Sequence, residues 1–157
     1  MNQSKECICG LKHSLHVDDF SCGNVNELEN TLRKKAPWAF GMDNSFEYQE
    51  DLFRGNGHLL LGFVGNEAVT YAVYDLFGST ECTFHHIQTK KVYQRKSFGV
   101  QIGCHLLGIL GGNTNIHAMH SSESGKAFLQ KLGFVPDKGW WIYPMGSALP
   151  NLCGKAI

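Results

Sequence analysis

The middle of the chain carries three segments whose hydrophobic pattern predicts β-strands. Residues 58–64 read HLLLGFV, a continuous apolar run that is typical of a buried strand. Gly65-Asn66 follows as a tight-turn signal, so residues 67–77 (EAVTYAVYDLF) are the expected hairpin partner. After a further turn, residues 81–92 (ECTFHHIQTKKV) alternate between the two faces of a strand. The pattern predicts an antiparallel meander of three strands.

Apolar residues at helical spacing predict helices on both sides of this meander. Residues 25–36 follow Asn24, which can cap a helix, and precede Pro37, which ends it. Residues 98–110 repeat apolar side chains at helical spacing. The other predicted elements are a first strand at 7–17, a turn at 21–24, a short helix at 44–54, a strand at 115–120, a helix capped by Ser121 or Ser122 and ended by Gly133, and a last strand at 139–145.

The order of these elements predicts an α/β fold of the mixed α+β kind. The segments follow one another as β, α, α, β, β, β, α, β, α, β, and the late β–α–β crossovers favour a mixed sheet with helices on both faces. The sequence contains no internal repeat, low-complexity tract or linker. We therefore expect residues 1–157 to form a single domain.

Composition excludes several classes of protein. Fourteen basic and fourteen acidic residues give a formal net charge of zero, so no global field draws the chain to nucleic acid or to a membrane. No apolar run approaches the roughly 20 residues of a membrane span, and the N-terminus lacks the apolar core of a signal peptide. We expect a soluble, cytoplasmic protein. Six cysteines without a C-x-x-C pair are expected to be reduced thiols, with no metal site.

One stretch between a predicted strand and a predicted helix favours an anion-binding site. Residues 93–107 read YQRKSFGVQIGCHLL, and the N–H groups of the first helical turn have no partner within the helix. Arg95, Lys96 and Ser97 add charge and a hydroxyl there, and Gly99 lets a ligand approach the backbone. A phosphate or pyrophosphate fits such a site. The alternative is a plain turn with solvated basic residues.

The loop Gln94-Arg95-Lys96-Ser97-Phe98-Gly99 resembles the Q/R-x-x-G-x-G/A signature of the GCN-related N-acetyltransferases (GNAT), with Ser97 in place of the first glycine. The resemblance extends to Ile87-Gln88-Thr89 and to residues 126–134 (KAFLQKLGF), and it covers about residues 10–146. It implies a mostly antiparallel central sheet of six or seven strands with helices on both faces, and acetyl-coenzyme A as co-substrate. The coenzyme-binding residues that it implies are Ile87, Gln88, Thr89, Gln94, Arg95, Lys96, Ser97, Phe98, Gly99, Ser122 and Phe128.

The resemblance implies direct transfer of an acetyl group from acetyl-coenzyme A to a primary amine. A backbone N–H near residues 87–89 would stabilise the tetrahedral oxyanion. The candidates for the base that deprotonates the amine are Glu81, His85 and His86, because imidazole titrates near neutral pH. Strict alternation places the two histidines on opposite faces of the strand. It assigns Cys82, Phe84, His86 and Gln88 to one face, and Thr83, His85, Ile87 and Thr89 to the other.

Leu129 marks a departure from the family pattern. Many GNAT enzymes have a tyrosine at this position that protonates the leaving thiolate, and leucine cannot donate a proton. Ser122, Ser124 or water would have to replace it, so we expect reduced activity rather than none, because a thiolate is a tolerable leaving group. Together with Ser97, this departure leaves open a weak or inactive GNAT-fold module that binds coenzyme A or a protein partner.

A narrower resemblance lies near the N-terminus. Phe20-Ser21-Cys22-Gly23, then Leu28, Leu32, Arg33 and Ala36, resembles the opening of the GNAT toxins that acetylate aminoacyl-tRNA. That alternative predicts tRNA and an antitoxin protein as partners; the other interpretation is an ordinary turn and an amphipathic helix. The basic surface that the toxin alternative predicts consists of Arg33, Lys34, Lys35, Lys90, Lys91, Arg95 and Lys96. GNAT proteins are often homodimers, and the sequence leaves both the oligomeric state and the acceptor open.

Overall fold

The computed structural model describes residues 5–6, 12–13, 15–41, 53, 55–119 and 123–147. The strands are β1 (Lys5–Glu6), β2 (Lys12–His13), β3 (His16–Cys22), β4 (Asn56–Val64), β5 (Glu67–Phe77), β6 (Glu81–Thr89), β7 (Asn115–Ala118), β8 (Val135–Asp137) and β9 (Trp140–Tyr143). The helices are α1 (Val25–Lys35), α2 (Phe98–Leu110) and α3 (Glu123–Leu132), with 3-10 turns at Pro37–Phe40 and Lys91–Tyr93.

Seven strands form one sheet in the order β3-β4-β5-β6-β7-β9-β8. Neighbouring strands of this sheet are antiparallel except for β6 and β7, which pair in parallel. The connection between these two strands contains α2, as a parallel crossover requires. Strands β1 and β2 form a separate two-stranded pair. The predicted fold class and the β4-β5-β6 meander are confirmed, and the mixed sheet, predicted to have six or seven strands, has seven.

The two faces of the sheet carry separate hydrophobic clusters. Helix α1 covers one face, which we call the α1 face, with Leu28 and Leu32 packed among side chains that include Leu59, Tyr71 and Val73. Helices α2 and α3 cover the opposite face, which we call the α2 face. Its buried residues include Leu60, Ala72, Tyr74, Cys82, Phe84, Ile102, Leu106, Leu129 and Leu132.

The ends of the chain depart from the sequence prediction. The first strand of the large sheet is His16–Cys22, not 7–17, and the predicted turn at 21–24 begins two residues later. The reason is tertiary, since Asp19 disfavours a strand locally but accepts a hydrogen bond from Tyr74 and pairs with His58 on the neighbouring strands. Strand β8 was not predicted. Of the predicted helix at 44–54, residues other than Phe53 lie outside the described part of the chain.

Asn24 caps α1 as the sequence predicts. Its side-chain oxygen accepts a hydrogen bond from the Glu27 backbone N–H at 2.9 Å. Glu27 in turn accepts one from the Gly23 backbone N–H at 2.7 Å. The two bonds resemble a capping box and satisfy N–H groups that the helix itself leaves without a partner.

Replacing the cap should weaken α1 measurably. We expect Asn24→Ala to lower the free energy of unfolding by about 1 kcal/mol, because the Glu27 N–H loses its acceptor. Asn30, exposed in the middle of the same helix, provides the matched control. Asn30→Ala should raise stability by a few tenths of a kcal/mol through helix propensity. Urea denaturation measures both, and equal effects of the two substitutions would contradict the capping assignment.

Candidate active site

Strand β6 contains a β-bulge at His85. Its register with β5 pairs Val73 with His86 and Tyr74 with Phe84, so His85 is an extra residue with no opposite partner. An inserted residue reverses the alternation of side chains beyond it. Cys82 and Phe84 therefore lie on the α2 face, whereas His86 packs against the Tyr71 ring on the α1 face with 5.6 Å between ring centroids.

Both histidines lie on the α1 face. His85 Nε2 is 2.7 Å from Oδ1 of Asp75, which shares its face of β5 with Val73. The prediction that the two histidines point to opposite faces is wrong, as are the two predicted sets of residues that share a face. The alternation of residue types along the sequence is regular, and the register with β5 that interrupts it depends on a distant part of the chain.

Strands β6 and β7 separate directly before this bulge. Their pairing runs from Glu81 and Asn115 to Phe84 and Ala118, but β6 continues to Thr89. The separation opens a cleft of about 320 Å³. Its lining comes from residues 84–87 of β6, from Ala118 and Met119 after β7, and from Ser124, Gly125, Phe128 and Leu129 of α3. The structure thus brings together His85, His86, Ile87, Ser124 and Phe128 among the predicted site residues.

A buried carboxylate orients His85. Asp75 is fully buried, and its Oδ2 accepts a hydrogen bond from the Gly55 backbone N–H at 3.0 Å. Its other oxygen contacts the imidazole, whose side chain is 14% exposed. A buried carboxylate beside a histidine fixes the orientation of the ring, which is how a general base is held by a third group. Asp75 was not among the predicted residues, although it is the single acid in the otherwise uncharged run 68–77, and this was the available signal.

Glu81 lies outside this cleft. It stands at the start of β6, where its oxygens accept hydrogen bonds from His117 at 2.9 Å and Asn115 at 3.0 Å. The hydrogen bond from His117 is the main reason that the pKa of Glu81 is lowered. Glu81 lines a second pocket with Thr83 and His117. Ser122, also a predicted site residue, lies outside the described residues.

Gln88 and Thr89 anchor the end of β6. Gln88 Oε1 accepts a hydrogen bond from the Tyr71 hydroxyl at 2.8 Å, and burial raises the pKa of that phenol. Thr89 Oγ1 lies 3.0 Å from Thr70 Oγ1, on the α2 face. The two side chains therefore hold β6 to β5 from opposite faces of the sheet, next to the separated edge of β6.

The loop before α2 has the backbone conformation of a glycine-rich turn. Arg95 has a φ of 63° and Ser97 a φ of 64°, both in the left-handed region that favours glycine. Gln94 closes the loop by donating a hydrogen bond from Nε2 to the Thr89 carbonyl at 3.0 Å. Ser97 precedes α2 without a side-chain capping bond. Ser97 stands where the signature has its first glycine, and the backbone at this position has the positive φ that glycine adopts easily.

The first turn of α2 presents donors at this loop. The N–H groups of Phe98, Gly99 and Val100 have no backbone acceptor among the described residues, and such groups bind anions. A Cβ at Gly99 would lie 3.6 Å from Thr89 Oγ1 and 3.9 Å from the Phe128 ring, which is ordinary contact. Lys96 and Arg95 add positive charge. The predicted coenzyme residues 94–99 therefore lie together at one corner that has the donors and charge an anion site needs, which we call the anion-binding corner.

Glu67 fixes this loop from the β4–β5 hairpin. Its carboxylate accepts from Lys90 Nζ at 2.6 Å and from the Tyr93 hydroxyl at 2.7 Å. These bonds, Lys90 first, lower the pKa of Glu67, and the bond to Glu67 raises the pKa of Tyr93. The Tyr93 ring packs on Phe98 with centroids 6.0 Å apart. Glu67 was missed by sequence reasoning, because no local pattern links it to a loop more than twenty residues away.

Leu129 is buried on α3 and lines the cleft where the family tyrosine was expected. Among the described residues, no group of three or more His, Cys, Asp or Glu side chains is placed to hold a metal ion. No helix in the described ranges is long and apolar enough to cross a membrane.

Comparison with solved structures shows the fold of the GNAT acetyltransferases. The chain is similar to YhhK from E. coli, solved with coenzyme A bound (19% identity, 83% of this chain and 98% of that chain, TM-score 0.57). It is similar to an acetyltransferase from Thermus thermophilus (20% identity, 85% and 99%, TM-score 0.56). A third neighbour is the ribosomal-protein-S18-alanine N-acetyltransferase from Escherichia coli (16% identity, 85% and 96%, TM-score 0.57). No family model and no curated protein matches the sequence.

The conformation of Ser97 predicts a stabilising substitution. We expect Ser97→Gly to raise the free energy of unfolding by up to about 1 kcal/mol, because glycine adopts a positive φ without the steric cost that serine bears. Lys96→Gly is the matched control, since residue 96 is not among those with positive φ. That substitution should be neutral or destabilising. Urea denaturation measures both, and a loss of stability in Ser97→Gly would contradict the assigned backbone.

The carboxylate of Glu67 predicts a pH-dependent contribution to stability. Its folded pKa lies below the ordinary value of 4.5, so its contribution is complete above pH 4.5 and is lost as the pH falls through the lower folded value. We expect Glu67→Gln to lower the melting temperature near pH 7. The difference in melting temperature between the variant and the wild type should vanish once the pH is below the folded pKa of Glu67. The same substitution should weaken coenzyme A binding by about two- to five-fold.

Glu29→Gln is the control for this substitution, because Glu29 pairs with Arg33 within α1, away from the loop. It should leave the coenzyme A dissociation constant unchanged. A melting-temperature difference for Glu67→Gln that persists below the folded pKa would contradict the assigned bonds.

Proposed function

We propose that this protein is an N-acetyltransferase that transfers an acetyl group from acetyl-coenzyme A to a primary amine by direct attack. One observation carries the proposal. The separation of β6 and β7 opens a cleft that has an imidazole–carboxylate pair, His85 and Asp75, at its α1 face and an anion-binding corner at residues 94–99 beyond it. The GNAT fold, with a neighbour solved bound to coenzyme A, supports the same activity.

The anion-binding corner would hold the pyrophosphate of the coenzyme. Free N–H groups at the start of α2 and the charges of Arg95 and Lys96 suit a diphosphate. The edge of β6 at residues 87–89, beyond the end of pairing with β7, offers backbone groups to an extended, amide-containing chain. This placement brings the thioester into the cleft between Ile87 and α3. Phe128, which lines the cleft and lies near Gly99, would contact that chain.

The chemistry follows from the residues of the cleft. His85, held by Asp75, accepts a proton from the ammonium group, and the free amine attacks the thioester carbonyl. A carbon–nitrogen bond forms, a backbone N–H of residues 87–89 stabilises the oxyanion, and the carbon–sulfur bond then breaks. The attacking nitrogen loses its remaining extra proton as the amide forms, and Ser124 or water relays a proton to the thiolate, because Leu129 has none to give. His86 shares the α1 face and shapes the amine side of the cleft.

The coenzyme assignment predicts a thermal shift that depends on Gly99. Acetyl-coenzyme A at a hundred times its dissociation constant should stabilise the protein by about 2.7 kcal/mol. Gly99→Val should remove this shift, because the branched side chain covers the first-turn N–H groups. Gly99→Ala is the control, since a Cβ fits there without a close contact. No shift in the wild type, or a full shift in Gly99→Val, would contradict the proposal.

Transfer itself is measured as thiol release with a panel of small amines, peptides and aminoacyl-tRNA. The panel includes aminoacyl-tRNA because the N-terminal part resembles the opening of GNAT toxins. A thermal shift without thiol release on any acceptor would favour a module that binds coenzyme A without turnover.

The role of His85 predicts a pH-dependent defect. His85→Asn should lower kcat/KM for an amine by about 10²- to 10⁴-fold near pH 7, and the defect should shrink as the pH approaches the pKa of the amine, where no base is needed. Asp75→Asn should show a smaller defect of the same pH dependence. His58→Asn, on β4 and away from the cleft, controls for loss of a partly buried histidine. A defect that is constant across pH would show a structural role only.

A further inference from the structure

A second pocket lies on the α1 face of the sheet and is not used by the proposed transfer. Its volume is about 330 Å³. The polar residues that line it are Glu81 and Thr83 of β6, His117 of β7, and Asp137 and Lys138 at the turn between β8 and β9. Trp140 forms an aromatic wall.

The pocket shares no lining residue with the cleft, but it lies on the same face of the sheet as His85. Asp75, Thr83 and His117 are direct neighbours across three strands, so their side chains share one face of the sheet. Asp75 is the residue that holds His85. Thr83 and His117 form the pair next to Phe84 and Ala118, where the strands separate. A molecule that offers its amine to His85 from the α1 face therefore extends over this pocket.

The charges of the pocket favour a cation. Glu81, Asp137 and Lys138 together carry one net negative charge when His117 is neutral. Glu81 stays ionised because His117 and Asn115 donate hydrogen bonds to it. Within the described ranges, Asp137 and Lys138 form no ion pair. The indole of Trp140 adds an aromatic face of the kind that binds ammonium groups.

One hydroxyl group that faces the pocket makes no hydrogen bond within the described part of the chain. Thr83 is 7% exposed and lines the pocket, and its hydroxyl makes no hydrogen bond to a described residue. The oxygen is not one of the fully buried polar atoms without a partner, so it is open to the pocket, where a ligand can donate a hydrogen bond to it. An ammonium group has three donors and suits both this oxygen and the carboxylates.

We infer that this pocket binds a second ammonium group of the acceptor, so that the acceptor is a diamine or a longer polyamine. The inference rests on the proposed amine acetylation. His85 and Glu81 are four residues apart, and a strand rises by about 3.3 Å per residue, which the bulge shortens slightly. The two nitrogens should thus lie about 10–13 Å apart. This span suits 1,8-diaminooctane better than 1,4-diaminobutane.

Binding is tested without turnover. With coenzyme A present, 1,8-diaminooctane should shift the indole N–H resonance of Trp140 in NMR spectra, and octylamine, which lacks the second charge, should not. The resonance is assigned with Trp140→Phe. The dissociation constant of 1,8-diaminooctane is obtained by following this resonance during a titration. In the double variant Glu81→Gln/Asp137→Asn it should rise by about five-fold or more. An equal response to the two amines would overturn the inference.

Kinetics supply the second test. The ratio of kcat/KM for 1,8-diaminooctane to that for octylamine should fall about five-fold in Glu81→Gln/Asp137→Asn. The ratio should rise about two-fold in Lys138→Gln, which removes the opposing charge. Asp18→Asn, an acid on the far edge strand, controls for a change of net charge and should leave the ratio unchanged.

The two proposals fail in different ways. If octylamine and the diamine are acetylated equally well in every variant, the inference is wrong and the acetyltransferase stands. If no amine is acetylated although the diamine shifts the Trp140 resonance through Glu81 and Asp137, the pocket binds the cation and the proposed transfer is wrong.

Discussion

The inserted residue at His85 is the constraint on which the site depends. The bulge leaves one residue of β6 without a partner on β5. It also reverses the face of the sheet on which each later side chain of β6 lies. Without it, His86 would lie beside Phe84 among the apolar residues of the α2 face. With it, His85 and His86 both point to the α1 face, and His85 reaches the buried Asp75. The sheet tolerates the change because Gln88 and Thr89 hold the strand to β5 beyond the bulge.

The anion-binding corner also depends on an unfavourable local backbone conformation that the rest of the structure stabilises. Positive φ at Arg95 and Ser97 costs of order 1 kcal/mol at each non-glycine residue, and such conformations persist where the surroundings fix them. Here the surroundings are the Glu67 carboxylate and the Gln94 amide, which hold the loop at the end nearer β6. The turn therefore keeps the shape that a glycine would allow, although serine occupies the position. The result is that the first N–H groups of α2 have no backbone acceptor among the described residues.

The sequence predicted those features whose signal is local. The strand 67–77 and the helix 98–110 have the predicted bounds, because hydrophobic periodicity and flanking turns determine both. The cap at Asn24 is also local. The bulge was missed because ECTFHHIQT alternates regularly, and only its register with β5 reveals the extra residue. Asp75 and Glu67 were missed for the same reason, since each acts on a partner that is distant along the chain.

The central claim is that acetyl-coenzyme A lies across the separated edge of β6 with its diphosphate at the start of α2. A crystal structure of the complex tests it most directly. We expect diphosphate oxygens about 2.9 Å from the N–H groups of Phe98 and Gly99, and the thioester carbonyl between Ile87 and Leu129. A complex in which the diphosphate binds elsewhere, or in which those N–H groups stay without a ligand while the coenzyme occupies another site, would contradict the account.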